Sequence, residues 1–184
     1  MQRSILFLTL AMSAIGYAQS FEGSVSAGVS KIGNGDLGSG YSLDDGFRLT
    51  FRINLNTRKY MGYELGYAYN RTHLGASGSA TQGMAVHQGF GDVLWHATPA
   101  GSRIRPFVAG GLQFSNFVPP GATAQYGQGE NKFGFNYGAG VKVKVTGPWI
   151  VRLDFRQYNT GVPFGMRSGR FLQNEISAGV GFTM

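Results

Sequence analysis

The sequence predicts an all-β fold, an eight-stranded antiparallel up-and-down barrel that crosses a membrane with its strands. Apolar and polar residues alternate without a break over residues 132–145, and successive side chains of a strand point to opposite faces. About seven further segments alternate in the same way, and the connections between them are alternately long and short. This rhythm is typical of membrane barrels, whose short turns and long loops lie on opposite sides of the bilayer.

The first 18 residues predict a secretory signal peptide. Arg3 supplies a positive charge, residues 5–15 form an apolar run, and small residues follow at Gly16 and Ala18. This run is too short to span a bilayer as a helix, so a cleaved signal is favoured over an anchor. We therefore predict cleavage between Ala18 and Gln19 and one mature barrel domain over residues 19–184.

The bulk composition fits a barrel better than a helical membrane protein. Only 42% of the residues are hydrophobic, 30 are glycine, and the mean hydropathy is −0.10, as expected when half of each strand faces a polar lumen. The net charge is +7, but the basic residues form no run, which argues against nucleic-acid binding. The absence of cysteine excludes a disulfide framework and thiolate metal sites.

Each strand is predicted from its own alternation. The eight segments cover residues 21–32, 46–55, 60–71, 83–97, 104–117, 132–145, 149–158 and 172–184. The fourth is the least regular, because Met84, Val86, Phe90 and Leu94 share a parity with Asp92. A bulge near residues 89–91 would shift the phase of the alternation and resolve this irregularity.

Four long connections are predicted to lie outside the cell. They cover residues 33–45, 72–82, 118–131 and 159–171. An even strand count places both termini on the periplasmic side, and the long loops then form the surface on which an extracellular ligand would be met. The first loop is acidic and the fourth basic, so no patch of a single sign is expected.

The apolar face of the strands is predicted to point outward. Alternation alone also allows a soluble barrel with its apolar face inside. However, the apolar parity offers roughly 35–40 large side chains, more than an eight-stranded barrel can enclose. Aromatic residues near strand ends are expected to form belts at the membrane boundaries: Tyr60, Tyr63, Trp95, Phe107, Trp149 and Phe171.

On these features the chain resembles the eight-stranded OmpA-like barrels, including the opacity-type and general outer membrane protein β-barrel families, over essentially all of residues 19–184. Residues 105–111 (Arg-Pro-Phe-Val-Ala-Gly-Gly) and 153–156 (Leu-Asp-Phe-Arg) are similar to stretches common in such barrels. The resemblance implies a monomer in the outer membrane of a diderm bacterium, surrounded by outer-membrane lipid and lipopolysaccharide.

The charged residues of the polar parity are the candidate site. They are Arg48, Arg52, Glu64, Lys142, Lys144, Arg152, Asp154, Arg156 and Glu175, with Glu22 and Asp92 as further candidates. Because an unpaired buried charge is costly, opposite signs are expected to pair across neighbouring strands. The predicted pairs are Arg52 with Glu64, Lys142 with Asp154, and Arg156 with Glu175.

These residues are interpreted as a structural plug in a non-enzymatic protein with a structural or adhesion-type surface role. One alternative is a narrow channel that prefers anions, because basic residues outnumber acidic ones in the set. A second is a lipid A-modifying enzyme, which would need a nucleophile, a base and an orienting acid. His73, His87 and His96 show no such arrangement or metal-ligand spacing, so no catalytic residue, cofactor or metal is predicted.

Overall fold

The computed structural model describes residues 20–33, 35–76, 79–122, 128–165 and 168–184. The predicted signal peptide, residues 1–18, and the predicted cleavage site between Ala18 and Gln19 lie outside the described residues.

Within these ranges the chain is almost entirely β-structure. The strands are β1 (Ser20–Ile32), β2 (Asp36–Gly38), β3 (Tyr41–Leu43), β4 (Gly46–Asn56), β5 (Met61–Ala76), β6 (Ser79–His96), β7 (Ile104–Val118), β8 (Glu130–Lys144), β9 (Trp149–Gly161) and β10 (Arg170–Thr183). A single 3-10 turn, Pro163–Gly165, follows β9 in the described part of the chain. No helix in the described ranges is long and apolar enough to cross a membrane.

The eight long strands close into a barrel, as predicted. Each of β4 to β9 pairs antiparallel with the strand that follows it, and β1 pairs with both β4 and β10. The stagger of the barrel is found by stepping from a residue to its partner on each neighbouring strand in turn. From Val29 on β1, the steps through β4 and β5 end at Ala85 on β6. The steps in the other direction, through β10, β9, β8 and β7, end at Trp95 on β6, ten residues further along that strand. This offset is the stagger that accompanies the tilt of the strands in a closed barrel.

The ends of the barrel differ in the length of their connections. Residues 57–60, 97–103 and 145–148 form the short turns of one end, which in outer-membrane barrels faces the periplasm. The opposite, extracellular end differs from the prediction. Residues 72–82 are not a long loop, because β5 continues to Ala76 and β6 begins at Ser79.

The β5–β6 hairpin extends past the rest of the barrel wall because β3 pairs with the end of β5. Strands β2 and β3 lie within the predicted loop 33–45 and form their own hairpin, which pairs with β5 from Leu43 opposite Leu74 to Tyr41 opposite Ala76. Pairing satisfies the backbone groups of the extension. The predicted loops 118–131 and 159–171 are likewise shorter, since β8 starts at Glu130, β9 ends at Gly161 and β10 starts at Arg170.

The predicted bulge near residues 89–91 is wrong. Strand β6 keeps an unbroken register with both β5 and β7 through these residues, and its apolar residues of even number point into the barrel. Phe90 fits inside because Gly66 lies opposite it on β5, and a Cβ on Gly66 would overlap the Phe90 ring.

The other strands direct their large apolar residues outward. Leu65, Leu112 and Phe133 are 67%, 75% and 79% exposed, which is the expected orientation for a lipid-facing surface. Trp95 and Trp149 also lie outside, but Phe107 and Phe171 are buried inside the barrel, so their assignment to the aromatic belts is wrong. The Phe107 ring lies over Gly140 of β8, where any residue with a Cβ would overlap the ring.

Candidate functional site

The lumen of the barrel is filled with buried charged side chains. Those in the described residues are Arg48, Arg52, Arg105, Lys142, Arg152 and Arg156, together with Glu22, Glu64, Asp92, Asp154 and Glu175. Every one of the eight long strands, β1 and β4 to β10, contributes at least one of them. Buried charges persist only when they are paired and hydrogen-bonded, so their contacts define how the lumen is built.

Glu64 of β5 lies at the centre of this network. Its carboxylate lies 3.0 Å from Arg152 Nη1, 2.7 Å from Arg156 Nη2 and 3.5 Å from Arg52 Nε. Asn54 Nδ2 also donates a 2.6 Å hydrogen bond to it. One carboxylate therefore connects guanidinium groups from β4 and β9 across the lumen.

Asp154 and Asp92 hold the arginines of β9 from two further directions. Arg152 donates two hydrogen bonds to Asp154, from Nε at 2.6 Å and from Nη2 at 2.7 Å. Such fork-like pairs are among the stronger charge-assisted contacts. Arg156 forms an ion pair with Asp92 of β6, which also accepts a 2.7 Å hydrogen bond from Asn136 of β8.

Glu175 of β10 is the second centre of the network, nearer the extracellular end. Arg48 Nε lies 3.0 Å and Arg52 Nη2 lies 2.7 Å from its carboxylate. The hydroxyls of Tyr158 and Ser177 donate hydrogen bonds of 2.8 and 2.6 Å to the same group. The Arg48 guanidinium also stacks over the Tyr158 ring, 4.3 Å from its centroid, an attractive cation–π arrangement.

The periplasmic end of the lumen combines paired charges with buried groups that have no partner among the described residues. Lys142 forms an ion pair with Glu22 and donates a 2.8 Å hydrogen bond to Asn54. Arg105 Nη1 lies 3.9 Å from Glu22, and its Nε and Nη2 have no hydrogen-bond partner among the described residues. Neither ring nitrogen of the buried His96 has a partner there.

The predicted pairs meet different outcomes. Arg52 and Glu64 lie together, at 3.5 Å. Arg156 and Glu175 are opposite in register, but their ion pairs are made with other residues. The pairing of Lys142 with Asp154 is wrong, because the four-residue turn before β9 sets Lys142 opposite Arg152 and Asp154 opposite Gly140.

The predicted membership of the charge network differs from the structure at two residues. Lys144, predicted in the network, is half-buried at the periplasmic end of β8 and makes none of the ion pairs found in the described ranges. Arg105, which was not predicted, is 4% exposed. Its parity is opposite to that of the outward Val108 and Leu112, and this was the signal that could have identified it.

Uncharged polar residues lie in the lumen on the extracellular side of Glu175. Gln88 contacts Arg48 and donates hydrogen bonds to Ser115 at 3.0 Å and Gln173 at 2.9 Å. Gln173 in turn donates to Ser30 of β1 at 2.5 Å. This layer links four strands and continues the filled lumen toward the extracellular end.

An apolar cap closes the extracellular end of the lumen. It consists of Leu37, Leu43, Met84, Val86, Phe117, Val162 and Phe171, each at most 7% exposed. The rings of Phe117 and Phe171 meet edge to face at 5.6 Å, and the β2–β3 hairpin supplies the two leucines. Buried side chains of the described residues thus line the lumen from Glu22 to the cap.

The histidines lie apart from one another. His73 is exposed near the extracellular end, His87 lies on the outer face, and His96 is buried at the periplasmic end. The Tyr67 hydroxyl and His87 Nδ1 are 2.6 Å apart. Among the described residues no group of three or more His, Cys, Asp or Glu is placed to hold a metal ion.

Comparison with known proteins gives the family. The chain matches the family described as "Outer membrane protein beta-barrel domain" over residues 4–183. No curated protein sequence matches the chain.

Solved structures show the same fold at low sequence identity. The Neisserial surface protein A (NspA) is 15% identical with a TM-score of 0.64, covering 88% of this chain and 96% of its own. The outer membrane protein OprG from Pseudomonas aeruginosa is 9% identical with a TM-score of 0.60, covering 89% and 95%. Ail, the attachment invasion locus protein of Yersinia pestis, is 12% identical with a TM-score of 0.52, covering 90% and 98%. Since the family match spans nearly the whole sequence, the chain belongs to the outer membrane protein β-barrel family and is a protein of the outer membrane.

Proposed function

We propose that this protein is a non-enzymatic outer-membrane barrel with a closed lumen, which presents its extracellular segments for a surface-interaction role of the adhesion type. The observation that supports this proposal is the filled lumen, in which the charge network and the apolar cap follow one another along the barrel axis. The barrel then serves as a scaffold, and recognition is left to the connections outside the membrane.

A continuous aqueous path would require breaking several buried contacts together. Glu64 and Glu175 each hold at least two guanidinium groups. Removing one partner from such a network leaves an uncompensated buried charge, which costs about 3–5 kcal/mol. Opening the apolar cap would add the exposure of its buried side chains to water. Both terms favour a lumen that stays closed.

The extracellular end offers a structured surface for binding. Strands β2 and β3 and the extensions of β5 and β6 form a small sheet beyond the barrel. A groove of about 250 Å³ lies on it, lined by Tyr41, Leu74, Ala76, Ala80 and Gln82. Exposed aromatic residues such as Tyr41 commonly anchor protein interfaces, so this sheet is the expected contact surface.

The closed lumen is tested by planar-bilayer recordings of the purified barrel. We expect no discrete conductance steps. In cells, replacement of the exposed groove residues Tyr41 and Gln82 by Ala, which leaves the cap residues Leu37 and Leu43 in place, should reduce binding of the cells to a protein-coated surface and leave permeability to small solutes unchanged. Discrete channels in the wild-type protein, or unchanged surface binding after the replacement, would contradict the proposal.

A narrow anion-preferring channel is the second candidate, favoured by one feature. Arg105, Lys142 and Arg152 form a row of cations in register across β7, β8 and β9, and the lumen holds six basic and five acidic side chains in the described residues. Under this alternative the wild-type barrel conducts, and Lys142→Glu lowers its preference for anions.

A lipid A-modifying enzyme is the third candidate and receives the least support. His87 is engaged by a tyrosine hydroxyl on the outer face, and His96 packs against Phe107 inside the barrel at 5.8 Å. Neither contact supplies the nucleophile and orienting acid that acyl transfer requires. We expect the lipid A mass spectrum of a deletion strain to match that of the parent, whereas a changed acylation pattern would favour the enzyme.

A further inference from the structure

We propose that the periplasmic rim of the barrel binds the headgroups of anionic phospholipids in the inner leaflet of the outer membrane. The site is a basic rim formed by Arg58, Lys59, Arg103 and Lys144. These residues lie in or beside the three short periplasmic turns. Arg58, Lys59 and Arg103 are exposed, and Lys144 is half-buried.

The distribution of acidic residues leaves this rim without counter-charges. The sequence contains nine acidic residues. Five lie in the lumen, and the other four, Asp36, Asp44, Asp45 and Glu130, lie at the extracellular end. None falls in residues 57–60, 97–103 or 145–148, so the charged side chains of the three turns are all basic and attract anions.

Hydrogen bonds between the turns hold the rim together. The Ala100 amide donates to Lys59 O at 2.8 Å, which joins the first two turns. The Lys144 amide donates to Arg103 O, also at 2.8 Å, which joins the second turn to the end of β8. The cations are therefore carried on a connected backbone and do not depend on independent flexible loops.

The rim lies at the level where phospholipid headgroups are found. Tyr60, Trp95 and Trp149 are 38%, 57% and 56% exposed beside the same turns, as expected of aromatic residues at a membrane–water boundary. Lys59 Nζ lies 5.6 Å from the centroid of the Tyr60 ring. The cations thus extend just beyond the hydrocarbon boundary, within reach of lipid phosphates.

A lipid fits this arrangement better than an acidic protein does. The three turns follow β4, β6 and β8, so they are spread around most of the barrel circumference and do not form one face. A protein would contact one side, whereas the phospholipids surrounding the barrel reach every turn. Each Lys or Arg near an anionic membrane surface contributes about 1 kcal/mol, or roughly fivefold in binding.

The test is lipid retention by the folded barrel in a neutral detergent, measured by native mass spectrometry with added phosphatidylglycerol or phosphatidylcholine. We expect the wild-type protein to retain phosphatidylglycerol preferentially. The triple variant Arg58→Gln/Lys59→Gln/Arg103→Gln should lose about tenfold or more of this preference. Heat-modifiable gel mobility verifies that each variant is folded.

The matched control removes three exposed cations from the opposite end, in Lys31→Gln/Arg71→Gln/Arg170→Gln. It should keep the wild-type preference within about twofold, since each distant charge contributes little beyond a Debye length. An unchanged preference in the rim variant, or an equal loss in the control, would overturn the proposal. So would rim-dependent binding of polyglutamate with no preference between the two phospholipids, which would indicate an acidic protein partner.

Discussion

Glu64 shows how a single residue organises the interior of the barrel. It is 1% exposed and lies within 3.5 Å of three guanidinium groups, while Asn54 donates a further hydrogen bond. Burial of an isolated carboxylate would be strongly unfavourable, but here each neighbour is also buried and needs an anion. The group therefore stabilises the folded barrel mainly because its removal would strand several cations at once.

Replacing Glu64 by Gln should destabilise the barrel by about 3–5 kcal/mol. The side chain keeps its size and can still accept a hydrogen bond, but Arg52, Arg152 and Arg156 lose their shared negative charge. The free energy of unfolding is measured by urea titration in lipid vesicles, with Trp95 and Trp149 as fluorescent probes.

Glu130→Gln is the matched control for this substitution. The Glu130 carboxylate lies 2.6 Å from Lys132 Nζ, but these side chains are 31% and 25% exposed. A partly exposed ion pair contributes about 0–1 kcal/mol, and a Gln oxygen can still accept the hydrogen bond that the Phe164 amide donates to Glu130. The control should therefore change the unfolding free energy by no more than about 1 kcal/mol. Equal effects of the two substitutions would mean that burial does not determine the strength of the network.

The positions of Phe90 and Phe107 mark where single-residue predictions fail. Both are large aromatic residues and were expected outside for that reason, against the parity of their own strands, yet both rings point inward above a facing glycine, Gly66 or Gly140. The relevant information lies on the neighbouring strand and requires the register. Side-chain parity could be predicted from each segment alone, but the pairing of Lys142 depended on a turn whose register sequence spacing does not determine.

At the scale of the elements, β6 connects the apolar cap with the charge network in the lumen. Its inward residues change from Met84 and Val86 in the cap, through Gln88, to Asp92 in the charge network. The β2–β3 hairpin closes the cap from above with Leu37 and Leu43. Because this hairpin pairs with β5 over only three residues, its position depends on these two buried leucines.

Leu37→Ala should release the β2–β3 hairpin and leave the barrel folded. Truncating a buried leucine costs about 2–5 kcal/mol, which exceeds what a short edge pairing can restore. Limited proteolysis of the protein in vesicles should then cut within residues 36–45. Tyr41→Ala on the same hairpin is the control, because Tyr41 is 36% exposed, and it should leave the hairpin protected. Cleavage of both variants, or of neither, would contradict a role for the cap in holding the hairpin.

At the scale of the whole molecule, closure links the two ends of the described chain. Strand β1 pairs with β10 from Glu22 opposite Thr183 to Ile32 opposite Gln173. The strand number, the antiparallel order and the outward apolar face were predictable, because each follows from repeated alternation and from the limited volume inside eight strands. The stagger, the extracellular sheet and the apolar cap were not, since they depend on contacts between distant segments.

Closure predicts which cysteines can be joined. Ala27 and Ala178 are paired across β1 and β10, and both side chains point outward. Opposed residues of antiparallel strands have Cα atoms about 4.5–5.5 Å apart, within the range that a disulfide spans. The protein contains no cysteine, so Ala27→Cys/Ala178→Cys should form one intramolecular disulfide on mild oxidation, detected by mobility on a non-reducing gel.

In the control Ala27→Cys/Ser177→Cys, the two side chains point to opposite faces of the wall and no link should form. A bond in the control but not in the first variant would place β1 and β10 one residue out of register, and such a shift would turn Glu175 out of the lumen and leave Arg48 and Arg52 without their shared carboxylate.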